Sequence, residues 1–195
     1  MMELPEVRKS VTNYLTEPIA RLLARTAITP NAITWFGFLL VVGAAVLIAT
    51  GQLFAAGLVV LAGSFFDILD GALARYTNRV THFGAILDST LDRLAEAALL
   101  IAILFLYARE QSVAEILLVG AALPSSMLVS YVRARTEGIG LECQVGFFTR
   151  VERVIVLALG LLLNQIVIAL AIIVVLNFIT VGQRLIYAWQ QTKVK

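Results

Sequence analysis

Four aspartates, Asp67, Asp70, Asp88 and Asp92, lie close together in an otherwise apolar chain. An ionised carboxylate inside a bilayer costs about 2.5–3.5 kcal/mol on insertion scales, so four of them need compensation. Carboxylate oxygens are ligands for hard divalent cations, and Mg²⁺ combines a few carboxylates with water and phosphate oxygens. Four carboxylates suffice for two ions with shared ligands, which predicts a site for phosphoryl transfer.

The spacing of the aspartates places them on two helical faces. Asp67 and Asp70 are three residues apart, and Asp88 and Asp92 are four apart, so each pair shares a face. At about 1.5 Å per residue, Asp67 and Asp92 lie roughly 12 Å from the connecting loop, and the other two lie about 6–7 Å from it. We therefore expect antiparallel neighbouring helices whose acids meet at matched depths. The same faces carry the small residues Gly71, Ala74 and Gly84, and Arg75 at the mouth suits a phosphate oxygen.

The helices that carry the acids belong to a membrane protein. The chain of 195 residues is 60% hydrophobic and 14% charged, whereas a soluble domain has roughly 25% charged residues. We predict an all-α integral membrane protein with six transmembrane helices, although hydropathy alone also allows four or five. The predicted ranges are Ala32–Thr50, Leu53–Ala74, Gly84–Tyr107, Val113–Tyr131, Val151–Leu163 and Gln165–Trp189.

The distribution of charge sets the expected orientation. Lys and Arg concentrate before the first predicted span, between the second and third, between the fourth and fifth, and at the C-terminus. Excess positive charge marks the cytoplasmic side, so both termini and the acid-rich site are predicted to be cytoplasmic in a multi-pass protein of the cell (inner) membrane. Residues 1–29 predict an N-terminal interfacial amphipathic helix, or alternatively a soluble helix packed on loops. We expect one domain over 1–195, with the membrane part at 32–189.

Composition also excludes several classes of protein. The net charge of +2 is too small to indicate a nucleic-acid partner. One cysteine and one histidine exclude an internal disulfide and make a zinc site or a Ser-His triad improbable. The chain lacks the GxxxxGK[ST] loop of P-loop nucleotide sites.

The residues D-x-x-D-G-x-x-A-R, followed after eight residues by G-x-x-x-D-x-x-x-D, resemble the motif of the CDP-alcohol phosphotransferase family. The resemblance implies six transmembrane helices, a homodimer, and transfer of a phosphatidyl group from CDP-diacylglycerol to an acceptor hydroxyl with release of CMP. It implies two Mg²⁺ ions, with Mn²⁺ as an alternative, bound by all four aspartates, and Asp92 as general base. The implied CDP-lipid contacts are Asn31, Ala32, Ile33, Thr34, Gly71, Ala74, Arg75, Thr81 and Gly84.

The second half of the chain resembles phosphatidylinositol-phosphate synthases within that family. The matching segment begins at Ser130, and the acceptor phosphate would be bound by Arg133, Arg153 and Arg184. Lysine is usual at the first of these positions, and Val151 replaces an expected proline. Three arginines favour a phosphorylated polyol such as inositol phosphate, with glycerol 3-phosphate as the alternative.

The remaining charged residues have structural interpretations. We expect Glu96 to pair with Arg93 on its own helix, while Arg135 and Arg150 serve as membrane anchors or belong to the site. A small cation or proton transporter is the alternative function, because intramembrane acids also line ion pathways.

Overall fold

The computed structural model describes residues 17–193, which are helical throughout apart from turns and loops. Residues 17–23 form a short helix, α1. Six longer helices follow: α2 (Pro30–Ala49), α3 (Leu53–Tyr76), α4 (His82–Arg109), α5 (Val113–Gly138), α6 (Arg150–Leu162) and α7 (Ile166–Lys193). The six helices predicted from hydropathy are therefore confirmed as helices. Most of the predicted interfacial helix lies outside the described residues.

The largest difference from the predicted bounds is in α5, which continues from Tyr131 to Gly138. Those added turns carry Arg133 and end beside a loop, residues 139–149. The expected turn between α6 and α7 is present, and Asn164 there has a positive φ of 54°. Asparagine tolerates this left-handed backbone better than most residues, which explains the turn at this position.

Four helices, α2, α3, α5 and α7, are long and apolar enough to cross a membrane. The other two long helices differ for separate reasons. Helix α6 has only 13 residues, so it is about 20 Å long, less than a typical hydrocarbon core of about 30 Å. Helix α4 has 28 residues but carries four charged residues between Asp88 and Glu96: Asp88, Asp92, Arg93 and Glu96.

The six long helices pack as a closed ring. Helix α2 packs against α3 and α4, α3 against α6, α6 against α7, α7 against α5, and α5 against α4. Leucine, isoleucine, valine and alanine from all six helices fill the interior. Helices α3 and α4 therefore both pack against α2 and do not pack closely on each other, which corrects the expectation that they are neighbouring helices.

Glycines set the distance between α2 and α3. A Cβ atom added at Gly63 would lie 2.7 Å from Val41 Cγ2, and one added at Gly37 would lie 3.3 Å from the Gly63 carbonyl oxygen. Such close backbone approach needs residues without side chains. Because Asp67 follows Gly63 by one helical turn, this contact determines where the first acid lies.

Candidate active site

Three of the four aspartates form a compact group. Asp67, Asp70 and Asp88 each offer a carboxylate oxygen, and these oxygens lie within 4.8 Å of one another. Asp70 is 6% exposed, and both Asp70 Oδ2 and Asp88 Oδ1 are buried without a hydrogen-bond partner. Unpaired buried carboxylate oxygens are costly unless a cation binds them. The donor set therefore fits a hard divalent cation.

Asp92 joins this group through an arginine from a distant helix. Arg150 Nη1 lies 2.8 Å from Asp67 Oδ2 and 2.6 Å from Asp92 Oδ1. The arginine is the first residue of α6, whose start is fixed by the Thr149 N–H donating to Glu152 Oε2 at 2.8 Å. The sequence is compatible with Arg150 as either a membrane anchor or a site residue, and no local motif indicates its contact with the acids.

A cavity of about 300 Å³ opens beside Asp70 and Asp88, between α3 and the start of α4. Its lining includes most of the residues expected to contact the CDP-lipid: Asn31, Thr34, Gly71, Ala74, Arg75, Thr81 and Gly84. Ala32 and Ile33 do not line it, because Ala32 is exposed and Ile33 is buried in the core. Their assignment to the donor site stays a prediction without a supporting contact.

Thr81 and Gly84 line this cavity at the start of α4. The Thr81 hydroxyl caps α4 by accepting from the Gly84 N–H at 3.0 Å. A Cβ atom at Gly84 would lie 2.9 Å from Thr81 Oγ1 and 3.3 Å from Asn31 Oδ1. The glycine therefore lets polar atoms of the α2 start and the α4 start approach one another.

A second cavity, of about 530 Å³, lies on the other side of Asp88 and also borders Asp92. Arg133, Arg153 and Arg184, the three arginines predicted for the acceptor phosphate, all line it. The Arg184 side chain donates to the backbone carbonyls of Val129 and Val145, the latter at 3.0 Å from Nε. The structure thus brings together residues from α5, α6 and α7 that are far apart in sequence.

The expected pairing of Glu96 with Arg93 is wrong. Glu96 instead accepts two hydrogen bonds from Arg153, at 2.6 Å from Nε and 2.8 Å from Nη2. Arg93 donates to the Ser89 carbonyl oxygen one turn earlier in its own helix. The physical reason is burial: Glu96 is 7% exposed, and a buried carboxylate needs a partner that reaches it inside the ring of helices.

An apolar groove of about 220 Å³ between α3 and α6 reaches Asp67 and Arg150. Leu61, Phe65, Ile68, Val154 and Ile155 line most of it. Three cavities of different chemistry therefore meet at the acids: one beside glycines and Arg75, one lined by arginines, and one apolar.

Comparison with known proteins identifies the family. The family model for CDP-alcohol phosphatidyltransferases matches residues 27–183. The chain belongs to this family. It is therefore a transferase, and the transporter alternative is overturned.

Two groups of relatives are similar over most of the chain. An archaetidylinositol phosphate synthase of Methanothermobacter thermautotrophicus is 36% identical over 200 residues, covering 97% of this chain and all of the relative. A phosphatidylinositol phosphate synthase of Mycobacterium tuberculosis is 38% identical over 164 residues, covering 82% of this chain and 75% of the relative. The resemblance to phosphatidylinositol-phosphate synthases is thereby confirmed.

Solved structures of the mycobacterial enzyme have the same fold. One with CDP-DAG bound has a TM-score of 0.83 and 33% identity, covering 90% of this chain and 94% of that one. Another, in complex with manganese and citrate, has a TM-score of 0.81 and 34% identity, covering 89% and 88%.

Proposed function

We propose that this enzyme transfers a phosphatidyl group from CDP-diacylglycerol to a hydroxyl of inositol phosphate and releases CMP. The observation that carries the proposal is the position of the acids between two polar cavities. One cavity contains most of the residues expected to contact the CDP-lipid, and the other contains the three arginines expected to bind the acceptor phosphate. A donor and a phosphorylated acceptor bound in these cavities would meet at Asp88, which lines both, with Asp92 on the acceptor side.

Divalent cations are the proposed cofactor, with two Mg²⁺ ions as the physiological form and Mn²⁺ as an alternative. Asp67, Asp70 and Asp88 would hold them, and Asp92 would complete the second set of ligands. When bound, the cations would neutralise the negative charge of the pyrophosphate and of the departing CMP. A manganese complex of a structural relative supports this choice of ligand chemistry.

The residues of the chain divide the remaining work. Arg75, beside Gly71 in the donor cavity, binds a phosphate oxygen of the CDP-lipid. Asp92 takes the proton of the acceptor hydroxyl as general base. The acceptor oxygen then bonds to the phosphorus on the lipid side of the pyrophosphate, and the bond from that phosphorus to the CMP oxygen breaks. The apolar groove beside Asp67 suits the acyl chains of the donor.

The acceptor is proposed to carry a phosphate because Arg184 is buried, and no carboxylate pairs with it among residues 17–193. A phosphate oxygen would satisfy that charge, whereas neutral inositol would not. Both inositol phosphate and glycerol 3-phosphate offer this group. The names of the similar synthases favour inositol phosphate.

The membrane arrangement is also a proposal. All six long helices would cross the membrane, with α6 and α4 kept there by packing within the ring rather than by their own hydropathy. The active site and both termini would face the cytoplasm, as the basic loops indicate. We further propose a homodimer as the assembled form.

Release of CMP by the purified protein in detergent tests the function. With Mg²⁺ and CDP-diacylglycerol, inositol phosphate should give CMP and a phosphorylated inositol lipid, while inositol should give little of either. Replacing inositol phosphate with glycerol 3-phosphate distinguishes the two acceptors. If glycerol 3-phosphate supports turnover and inositol phosphate does not, the acceptor is glycerol 3-phosphate. Absence of CMP with every acceptor would overturn the proposal.

A further inference from the structure

Arg153 and Glu96 form the most deeply buried ion pair among residues 17–193. Their side chains are 2% and 8% exposed, and two parallel hydrogen bonds join them. A bidentate contact of this kind fixes the plane of the guanidinium group. The third guanidinium nitrogen, Arg153 Nη1, is buried without a hydrogen-bond partner. An unsatisfied buried donor on a charged group is costly, and a ligand that accepts a hydrogen bond from this nitrogen would remove that cost.

Both residues line the cavity that contains the three arginines predicted for the acceptor phosphate, and Glu96 lies one helical turn beyond Asp92. The other two arginines are held differently. Arg133 pairs with Glu137, at 2.8 Å from Nε to Oε1, where both side chains are about half exposed. Arg184 donates to backbone carbonyls. Of the three arginines predicted for the acceptor phosphate, Arg153 is therefore the one whose direction and charge are both set by a buried carboxylate.

We propose that Glu96 is a positioning residue for the acceptor phosphate: it orients Arg153 so that Nη1 donates to a phosphate oxygen, and its negative charge limits how tightly that phosphate is held. The inference rests on the proposed function, in which this cavity receives a phosphorylated acceptor. Because the charges of Arg153 and Glu96 cancel, the pair gives the phosphate a directed hydrogen-bond donor without adding a full positive charge to the cavity.

The substitution Glu96→Gln separates these two effects. Loss of the carboxylate charge removes competition for Arg153, so phosphate should bind more tightly, by about fivefold or more. An amide has one acceptor oxygen where the carboxylate has two, so the guanidinium plane is no longer fixed. Because a misplacement of about 1 Å costs about 10²-fold in rate, kcat should fall by that order. Tighter acceptor binding with slower turnover is the expected result.

Isothermal titration calorimetry without CDP-lipid measures binding apart from turnover. The probes are inositol phosphate, inorganic phosphate and neutral inositol, and CMP release gives kcat. Glu115→Gln, which removes a half-buried carboxylate in the first turn of α5, outside the arginine-lined cavity, is the matched control and should change neither quantity. The affinity for neutral inositol should be the same in Glu96→Gln as in the wild-type protein, because inositol carries no phosphate.

A second variant keeps the test decisive if Glu96→Gln does not fold. Glu96→Asp retains the charge but draws the guanidinium back by one methylene, so phosphate affinity should hold while kcat falls. A purely structural role would lower thermal stability and leave affinity and kcat of the folded protein unchanged, which would overturn the inference.

The phosphate titration also separates this inference from the proposed function. If no acceptor yields CMP, the proposed function falls, and tighter phosphate binding by Glu96→Gln still supports the role of Glu96. Equal phosphate affinity of the wild-type protein and Glu96→Gln, or no phosphate binding by either, overturns the inference.

Discussion

Arg150 Nη1 lies 2.6 Å from Asp92 Oδ1 and so ties the start of α6 to the proposed general base on α4. The same nitrogen lies 2.8 Å from Asp67 Oδ2 on α3. One guanidinium group therefore provides a counter-charge for an acid from each of the two motif helices. Arg150 also borders the arginine-lined cavity and the apolar groove, so a change here affects two of the three cavities as well as the acids.

Replacing Arg150 with glutamine should lower the melting temperature in EDTA and enlarge the stabilisation that Mg²⁺ gives. Two half-buried carboxylates lose a cationic partner, and each charged hydrogen bond contributes about 1.5–3 kcal/mol. Removal of the guanidinium also removes a competitor for the carboxylates. Thermal unfolding in detergent, with and without Mg²⁺, measures both effects. Arg135→Gln is the control, because Arg135 is exposed; an equal Mg²⁺ effect in the two variants would contradict the counter-charge role.

Asp92→Asn should lower the rate of CMP release by about 10²–10⁴-fold, the usual contribution of a general base. Binding of CDP-diacylglycerol should persist, because Asp92 does not line the donor cavity. Rates come from CMP release and binding from titration of the CDP-lipid. Normal turnover by this variant would remove Asp92 from the mechanism. Glu110→Gln, at the end of α4 far from the site, serves as the control.

Gly84→Ala should raise the KM for CDP-diacylglycerol and leave the KM for inositol phosphate unchanged. The added methyl group would lie 2.9 Å from Thr81 Oγ1, so the donor cavity narrows and the cap of α4 shifts. Steady-state kinetics with each substrate varied in turn measures the split. Gly120→Ala, where a Cβ meets nothing within 4 Å, is the matched control. Equal changes in both KM values would place Gly84 outside the donor site.

Gly63→Ala should destabilise the protein by about 1–3 kcal/mol, the usual cost of overpacking. Its methyl group would lie 2.7 Å from Val41 Cγ2, which forces α2 and α3 apart and moves Asp67. The double variant Gly63→Ala/Val41→Ala should regain stability, because it removes the methyl groups that clash. Thermal unfolding measures both, and Gly43→Ala, with no neighbour within 4 Å of its Cβ, controls for helix propensity. If Gly63→Ala is as stable as the wild-type protein, α2 and α3 can move apart without a cost in stability, which would contradict this prediction.

The spacing within α3 and within α4 is enough to predict that each helix carries its two acids on one face. Residues three or four apart share a helical face whatever surrounds the helix. Spacing alone therefore places Asp67 and Asp70 on one face of α3, and Asp88 and Asp92 on one face of α4. The helix ranges follow in the same way from runs of apolar residues. The short α6 is also expected, although its length leaves its crossing of the membrane as a proposal.

Contacts between distant segments cannot be predicted in this way. Nothing near Glu96 indicates Arg153, since the alternative partner Arg93 is three residues away on the same helix. Burial makes the choice, because the closed ring places Glu96 inside and brings α6 against α3 and α7. Arg150 is a similar case, since a basic residue at a helix start is equally compatible with a membrane surface.

By itself the sequence determined the six long helices, the two acid-bearing faces and the family to which the chain belongs, because these depend on residue type and short-range spacing. Only the tertiary structure decided which arginine meets which acid, and that two polar cavities and an apolar groove meet at the aspartates. The physical reason is that long charged side chains reach across several helices, and burial selects their partners after the helices have packed.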